Sequence, residues 1–213
     1  DVPAHPSTLI AADLNGDGKL DLAAPFGCSG CNPAIQNDLY ILLNRGDGAF
    51  SEAVSYPVGY SPRSIIAADL NGDGKADLAT ANSACLGCRP EILGDVSVLL
   101  NQGDGTFNPT MTYSVGTDPW SLIAADLNGD GQTDLATANY FSGDVSVLLN
   151  QGSGTFSGTV SYPLRGYPTS LIAADLNGDG KLDLATSNCT GGCGDDSSVS
   201  ALLNKGDGTF ADA

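Results

Sequence analysis

Residues 10–23 read IAADLNGDGKLDLA, and three near-copies follow: IAADLNGDGKADLA at 66–79, IAADLNGDGQTDLA at 123–136 and IAADLNGDGKLDLA at 172–185. The leading aspartates, Asp13, Asp69, Asp126 and Asp175, are 56, 57 and 49 residues apart. A second string trails each copy: LLNRGDGAF from Leu42, LLNQGDGTF from Leu99, LLNQGSGTF from Leu148 and LLNKGDGTF from Leu202. A third leads in, so that Pro6, Pro62, Pro119 and Pro168 share one place. Four copies of one unit account for nearly all 213 residues, and a fixed period of this length marks a repeat architecture. The units run at about 1–57, 58–114, 115–163 and 164–213.

Each unit reads as four short strands: AVSYPV first, SIIAAD entering the acidic loop, DLATAN leaving it, and DVSVLLN ended by the GDG turn. Short runs of Val, Ile, Leu and Thr bounded by Gly, Asn and Asp are strand signals. No stretch holds a helical apolar period over three turns. The expected class is all-β and β-propeller-like, each repeat a four-stranded antiparallel blade carrying a calcium-binding hairpin loop. A sandwich of mixed hairpins fits less well, because sandwiches rarely repeat in sequence.

The acidic loop has the chemistry of a hard-cation site. In the first copy oxygen side chains stand at positions 1, 3, 5 and 9: Asp13, Asn15, Asp17 and Asp21, with Lys19 at position 7 offering only its backbone carbonyl. The same places hold Asp69, Asn71, Asp73, Lys75 and Asp77; then Asp126, Asn128, Asp130, Gln132 and Asp134; then Asp175, Asn177, Asp179, Lys181 and Asp183. Three carboxylates and an amide suit Ca²⁺, which takes six to eight oxygens. Two carboxylates brought to ~4 Å repel by about 4 kcal/mol at an effective dielectric near 20, so the loop is expected to need a cation to close. An EF-hand would require a bidentate Glu at position 12 and flanking helices. Position 12 is Ala24, Thr80, Thr137 or Thr186, and the flanks read as strand. The competing reading is a plain Asn-Gly, Asp-Gly turn with solvated acids, and four copies of the same oxygen pattern weigh against it.

The string GxxPxSLIAADLNGDGKLDLATxN…DVSVLLNxGDGTF resembles the FG-GAP/VCBS-type repeat of integrin-alpha-like propellers, over essentially the whole chain. The resemblance implies a propeller of calcium-binding blades, with about four ions here, one per repeat, held through loop positions 1, 3, 5, 7 and 9. Propellers of that family commonly have more blades than four.

Composition narrows the partners. Net charge is −17, which argues against nucleic acid and anionic membrane, since both need a basic patch. No apolar run approaches the roughly 18 residues of a membrane span, so no membrane insertion is expected. The cysteines fall in three local pairs, Cys28 with Cys31, Cys85 with Cys88 and Cys189 with Cys193, each in an insertion that the third repeat replaces with YFSG. Local pairs in even number suggest disulfides and an extracellular, oxidising compartment. Zinc would require pairs from different blades to meet as four thiolates.

His5 is the only histidine, so the usual Ser-His-Asp or Cys-His site cannot be built and no enzyme is expected. Arg45-Gly46-Asp47 matches an adhesion tripeptide but aligns with QGD, QGS and KGD, as a drifting turn would. Asn188-Cys189-Thr190 has the N-glycosylation pattern. The most variable aligned positions flank the shared proline: His5, Ser61, Asp118 and Tyr167 before it, Ser7, Arg63, Trp120 and Thr169 after it. Trp120 could stack on a sugar, although packing between blades accounts for it better. The interval from the GDG phenylalanine to the next leading aspartate is 19 residues internally, whereas joining the two chain ends would give 16. The closing strand is therefore expected to be ragged, ready to pair with its own ring or with a neighbour. The resulting expectation is a secreted calcium-binding structural or adhesion module, a candidate fibre or array subunit. Its partners would be other copies of itself or another extracellular protein. A glycan-binding propeller, or a non-catalytic domain of a larger secreted enzyme, is the alternative.

Overall fold

The computed structural model describes residues 8–27, 37–83, 93–190 and 196–212. Among these there is no helix, and sixteen strands form four antiparallel sheets. The first sheet holds β1 (Ile10–Ala12), β2 (Asp21–Phe26), β3 (Asp38–Leu42) and β4 (Val54–Pro57). The second holds β5 (Pro62–Ala68), β6 (Asp77–Asn82), β7 (Asp95–Leu99) and β8 (Met111–Ser114). The third holds β9 (Pro119–Ala125), β10 (Asp134–Asn139), β11 (Asp144–Leu148) and β12 (Val160–Pro163). The fourth holds β13 (Tyr167–Ala174), β14 (Asp183–Thr190), β15 (Asp196–Asn204) and β16 (Phe210–Asp212). Every sheet is a simple meander in chain order. One detail departs from the sequence expectation. AVSYPV does not open its own sheet; as β4 it pairs with β3, Val54 opposite Ile41, and closes the sheet before it.

Side chains alternate across each strand, and the two middle sheets bury both faces. On β6, Leu78 packs with Leu99, Phe107 and Ile65 against Leu14, Leu39 and Ile41 of the first repeat. Its neighbours Ala79 and Ala81 turn the other way, joining Val96 and Val98 against Leu122, Leu135, Leu148 and Phe156 of the third. The third and fourth repeats meet in the same manner, with Val145 and Val147 against Leu171, Leu184 and Leu202. Among the described residues there are therefore three cores, each between consecutive sheets, as in a stacked-repeat protein. The faces turned outward at the two ends stay open: Leu9 and Leu20 are exposed on the first repeat, Ile172, Leu176 and Val199 on the last.

The shared proline sits at a register break. Pro62 faces Asn82 and Ser64 faces Ala81, so Arg63 is an extra residue. Trp120 and Thr169 are bulged in the same way. Proline cannot donate to the ladder, and a bulge re-aims the side chain it carries.

Candidate metal centres

Each acidic loop joins the first two strands of its sheet, and its backbone is held by its own acids. Asp13 Oδ1 accepts from the N–H of Gly16 (2.8 Å) and Asp17 (3.2 Å), and Oδ2 accepts from Gly18 (2.8 Å). Asn15 Oδ1 accepts from Asp17 N–H, and Asp17 Oδ1 from Lys19 N–H. Gly16 and Gly18 take positive φ of 76° and 81°, conformations that glycine adopts without steric cost. Asp69, Asp126 and Asp175 hold their loops through the same three amides. These turns shape each loop around its own acids. A cation there would neutralise the carboxylates that the turns have gathered.

Position 9 behaves differently from the others. Asp21, Asp77, Asp134 and Asp183 are fully buried. Asp134 Oδ2 accepts from Leu127 N–H at 2.9 Å and Oδ1 from Asn150 N–H at 2.7 Å, clamping the loop to the next hairpin. Asp77 does the same for Leu70 and Asn101. Burial raises the pKa of Asp77 and Asp134, and the charges of Asp73 and Asp69, or of Asp130 and Asp126, add to the rise against the opposing hydrogen bonds. The loop acids thus face one another and concentrate negative potential.

The second oxygen at position 5 is the one the backbone leaves over. Lys19 Nζ lies 2.7 Å from Asp17 Oδ2, Lys75 Nζ 3.2 Å from Asp73 Oδ2 and Lys181 Nζ 3.5 Å from Asp179 Oδ2. In the third loop Asn128 Nδ2 donates to Asp130 Oδ2 at 2.9 Å. Asp17 is held below its ordinary pKa by the Lys19 ammonium and amide, and Asp130 by the Gln132 amide and the Asn128 side chain. In three of the four loops an exposed ammonium thus pairs with the position-5 carboxylate. Among the described residues no three His, Cys, Asp or Glu groups converge on one point as a metal centre. The donor set nonetheless fits Ca²⁺: oxygen only, with unused lone pairs on the acids of positions 1, 5 and 9, and the position-7 carbonyl to complete it. Between the second and third loops lies a cavity of about 140 Å³ lined by Asp69, Asn71, Gly131, Gln132 and Asn150.

At the opposite end of the inner strands the bulged residues Arg63 and Trp120 form a ladder with Tyr140 and Tyr167. Arg63 lies 5.2 Å from the Trp120 ring centre, Trp120 stacks on Tyr140 at 4.4 Å, and Tyr140 meets Tyr167 at 5.4 Å. Buried Asp118, at φ 59°, accepts from Arg63 Nε (3.2 Å), Trp120 Nε1 (2.8 Å) and the Ser83 hydroxyl. The ladder links repeats two, three and four. Arg45–Asp47 forms the same GDG turn as the other repeats, with Arg45 N–H donating to Ala49 O as Gln102 does to Thr106 O. Asn188 is buried, and its amide donates to Ser200 and Ser198, so it is closed to glycosylation in the folded protein. Cys28, Cys31, Cys85, Cys88 and Cys193 lie outside the described residues; Cys189 is half-buried on β14, opposite Tyr167 and Ser197.

A second stitch crosses every repeat boundary. Asn101 Nδ2 donates to Leu14 O of the previous acidic loop (3.0 Å), Asn150 to Leu70 O (2.8 Å) and Asn204 to Leu127 O (2.7 Å). Its only sequence signal is the recurrent LLN.

These features define an all-β tandem-repeat protein built on acidic hairpin loops. The profile of the FG-GAP-like repeat matches residues 26–80, 86–137 and 126–186, and the chain belongs to that family. An EF hand profile matches residues 7–23, the first acidic loop, which strands β1 and β2 flank here instead of helices. No curated protein matches the chain. Among solved structures it is similar to the Photorhabdus luminescens Tc holotoxin pore, at 20% identity and TM-score 0.45, over 100% of this chain and 12% of that one. It is also similar to the V. cholerae biofilm matrix protein Bap1, at 20% identity and TM-score 0.40, over 94% of this chain and 35% of that one. The chain thus spans a minor part of both.

Proposed function

We propose that this chain is a secreted, non-catalytic, calcium-stapled module of propeller-like blades with a structural or adhesive role, a unit of an extracellular fibre or array. The observation that carries the reading is the fourfold recurrence of one all-oxygen loop whose leftover carboxylate oxygen is met only by a side-chain donor. Asp13, Asn15, Asp17, the Lys19 carbonyl and Asp21 would hold the first ion, and their counterparts the other three. Bound calcium would neutralise the gathered acids and couple folding to the ion, by about 2.7 kcal/mol per site at a hundredfold excess over Kd. Membership of the FG-GAP-like family and the EF hand match at the first loop support the metal. The paired cysteines support an oxidising location. The test is calorimetric titration with Ca²⁺ of the chelator-treated protein. About four equivalents are expected, falling by one in Asp69→Asn. No heat of binding and no change in Tm between calcium and chelator would sink the reading.

A further inference from the structure

The three internal interfaces are built from one set of contacts, and both halves of that set are left open at the ends. On the side each sheet turns toward the next, Leu14, Leu70 and Leu127 are each 1% exposed, but their fourth-repeat counterpart Leu176 is 48% exposed. Leu39, Val96 and Val145 are 0% exposed, while Val199 in the same place is 77% exposed. On the side turned toward the preceding sheet, Ile65, Leu122 and Leu171 are 8%, 4% and 3% exposed, against 59% for Leu9. Side chains that elsewhere form the core are thus laid bare at both ends, as complementary halves.

The polar and steric fittings are open in the same sense. Asn101, Asn150 and Asn204 each donate to a carbonyl of their own repeat and to a leucine carbonyl of the one before. Asn44 makes only the own-repeat bond, to Leu20 O at 3.0 Å. The matching acceptor at the other end is the Leu176 carbonyl. Gly105, Gly154 and Gly208 leave room for a leucine of the preceding repeat: a Cβ there would meet Leu43, Leu100 or Leu149 within 2.8, 2.6 or 2.7 Å. Gly48 keeps the same gap with nothing within 4 Å, and Leu203 is the knob of matching position.

We infer, on the structural-module reading above, that the covering partner is a second copy of this chain, docked head to tail. The first repeat of one molecule seats on the fourth repeat of the next. Asn44 Nδ2 then reaches Leu176 O, Leu203 enters the gap at Gly48, and Leu9 covers Val199 and Leu176. The second copy fits because it brings the residues that already make this interface three times within the chain. The contact is heterologous, using a different face on each molecule, so it propagates unless a ring closes. The joint is weaker than the internal interfaces. Ser187 and Ala201 stand where Ala81 and Val98, or Ala138 and Val147, pack inside. The Tyr–Phe edge contacts of the inner boundaries, such as Tyr56 with Phe107, are also missing from it.

The experiment is sedimentation velocity over a wide concentration range in calcium, on the wild-type chain, Leu9→Asp, Val199→Asp and an equimolar mixture of the two. Both positions are exposed, so far-UV circular dichroism should match the wild type. The wild type should grow past 21.5 kDa with concentration. Each variant alone should remain at that mass, its self-association weakened on the order of a hundredfold by an unpaired carboxylate in the joint. The mixture should give a species of twice that mass and no larger, since each partner contributes one intact face. A wild type that stays at 21.5 kDa overturns the joint and leaves the faces to another cover, such as further repeats of a longer chain. Wild-type assembly with no complementation in the mixture also overturns it. Calcium binding without assembly sinks the joint alone; assembly without calcium binding sinks the metal reading alone.

Discussion

The stitch between repeats makes one substitution worth two very different amounts. Asn150 is buried; its amide bonds Leu70 O at 2.8 Å and Thr133 O at 2.9 Å, and its Oδ1 accepts from Gly152 N–H at 2.9 Å. Asn150→Ala removes three bonds at about 1 kcal/mol each and strands two carbonyls away from water, so the loss should be about 3–5 kcal/mol. Asn44 is the same residue of the same motif, yet it has two bonds, to Leu20 O and from Gly46 N–H, both exposed. Water replaces those partners, and Asn44→Ala should cost about 1 kcal/mol. The assay is urea unfolding at dilute protein in chelator, followed by the fluorescence of Trp120, the single tryptophan, and by far-UV circular dichroism. The expected gap between the variants is about 2–4 kcal/mol. Equal losses, within about 0.5 kcal/mol, would refute the claim that the asparagine acts across the repeat boundary.

Three further outcomes are expected. Asp134→Ala, which orphans the buried amides of Leu127 and Asn150, should lower stability by about 2–5 kcal/mol even in chelator. A loss confined to calcium buffer would reduce Asp134 to a ligand only. Gly105→Ala should destabilise more than Gly48→Ala in a thermal melt: both sit at positive φ, 83° and 86°, but only the former drives a Cβ into Leu43. Burial raises the pKa of Asp95, against hydrogen bonds from Asn82 and Ser97. For a raised acid the folded state binds the proton first, so its stability contribution falls as pH rises from 3.8 through the folded value. Asp95→Asn should therefore gain stability relative to wild type at pH 7, with the difference closing as pH approaches 4. A difference that does not change with pH would remove the charge from the explanation.

Much of this molecule was legible in the sequence because it is repetitive and local. Period-2 runs between Gly/Asp turns fix strands, and strands joined by short turns pair in order. The Asp-x-Asn-x-Asp-Gly spacing sets the loop, since each acid caps amides two to five residues ahead of it. Other features depended on contacts at long range. Asp21, Asp77, Asp134 and Asp183 read as further ligands, and their burial and second amide, some 16 to 24 residues away, make them clamps as well. Asn82 and Asn139 look like ordinary strand residues, and become buried junctions only when Asp95 with Ser97, or Asp144 with Ser146, arrive from the next strand. The sequence by itself determined the repeats, the strands and the acidic loops, through interactions that close within a turn. Only the tertiary structure decided which face each sheet buries, that the end faces stay open, and that LLN stitches the repeats. Those depend on desolvation and on partners up to 87 residues apart, which no local pattern encodes.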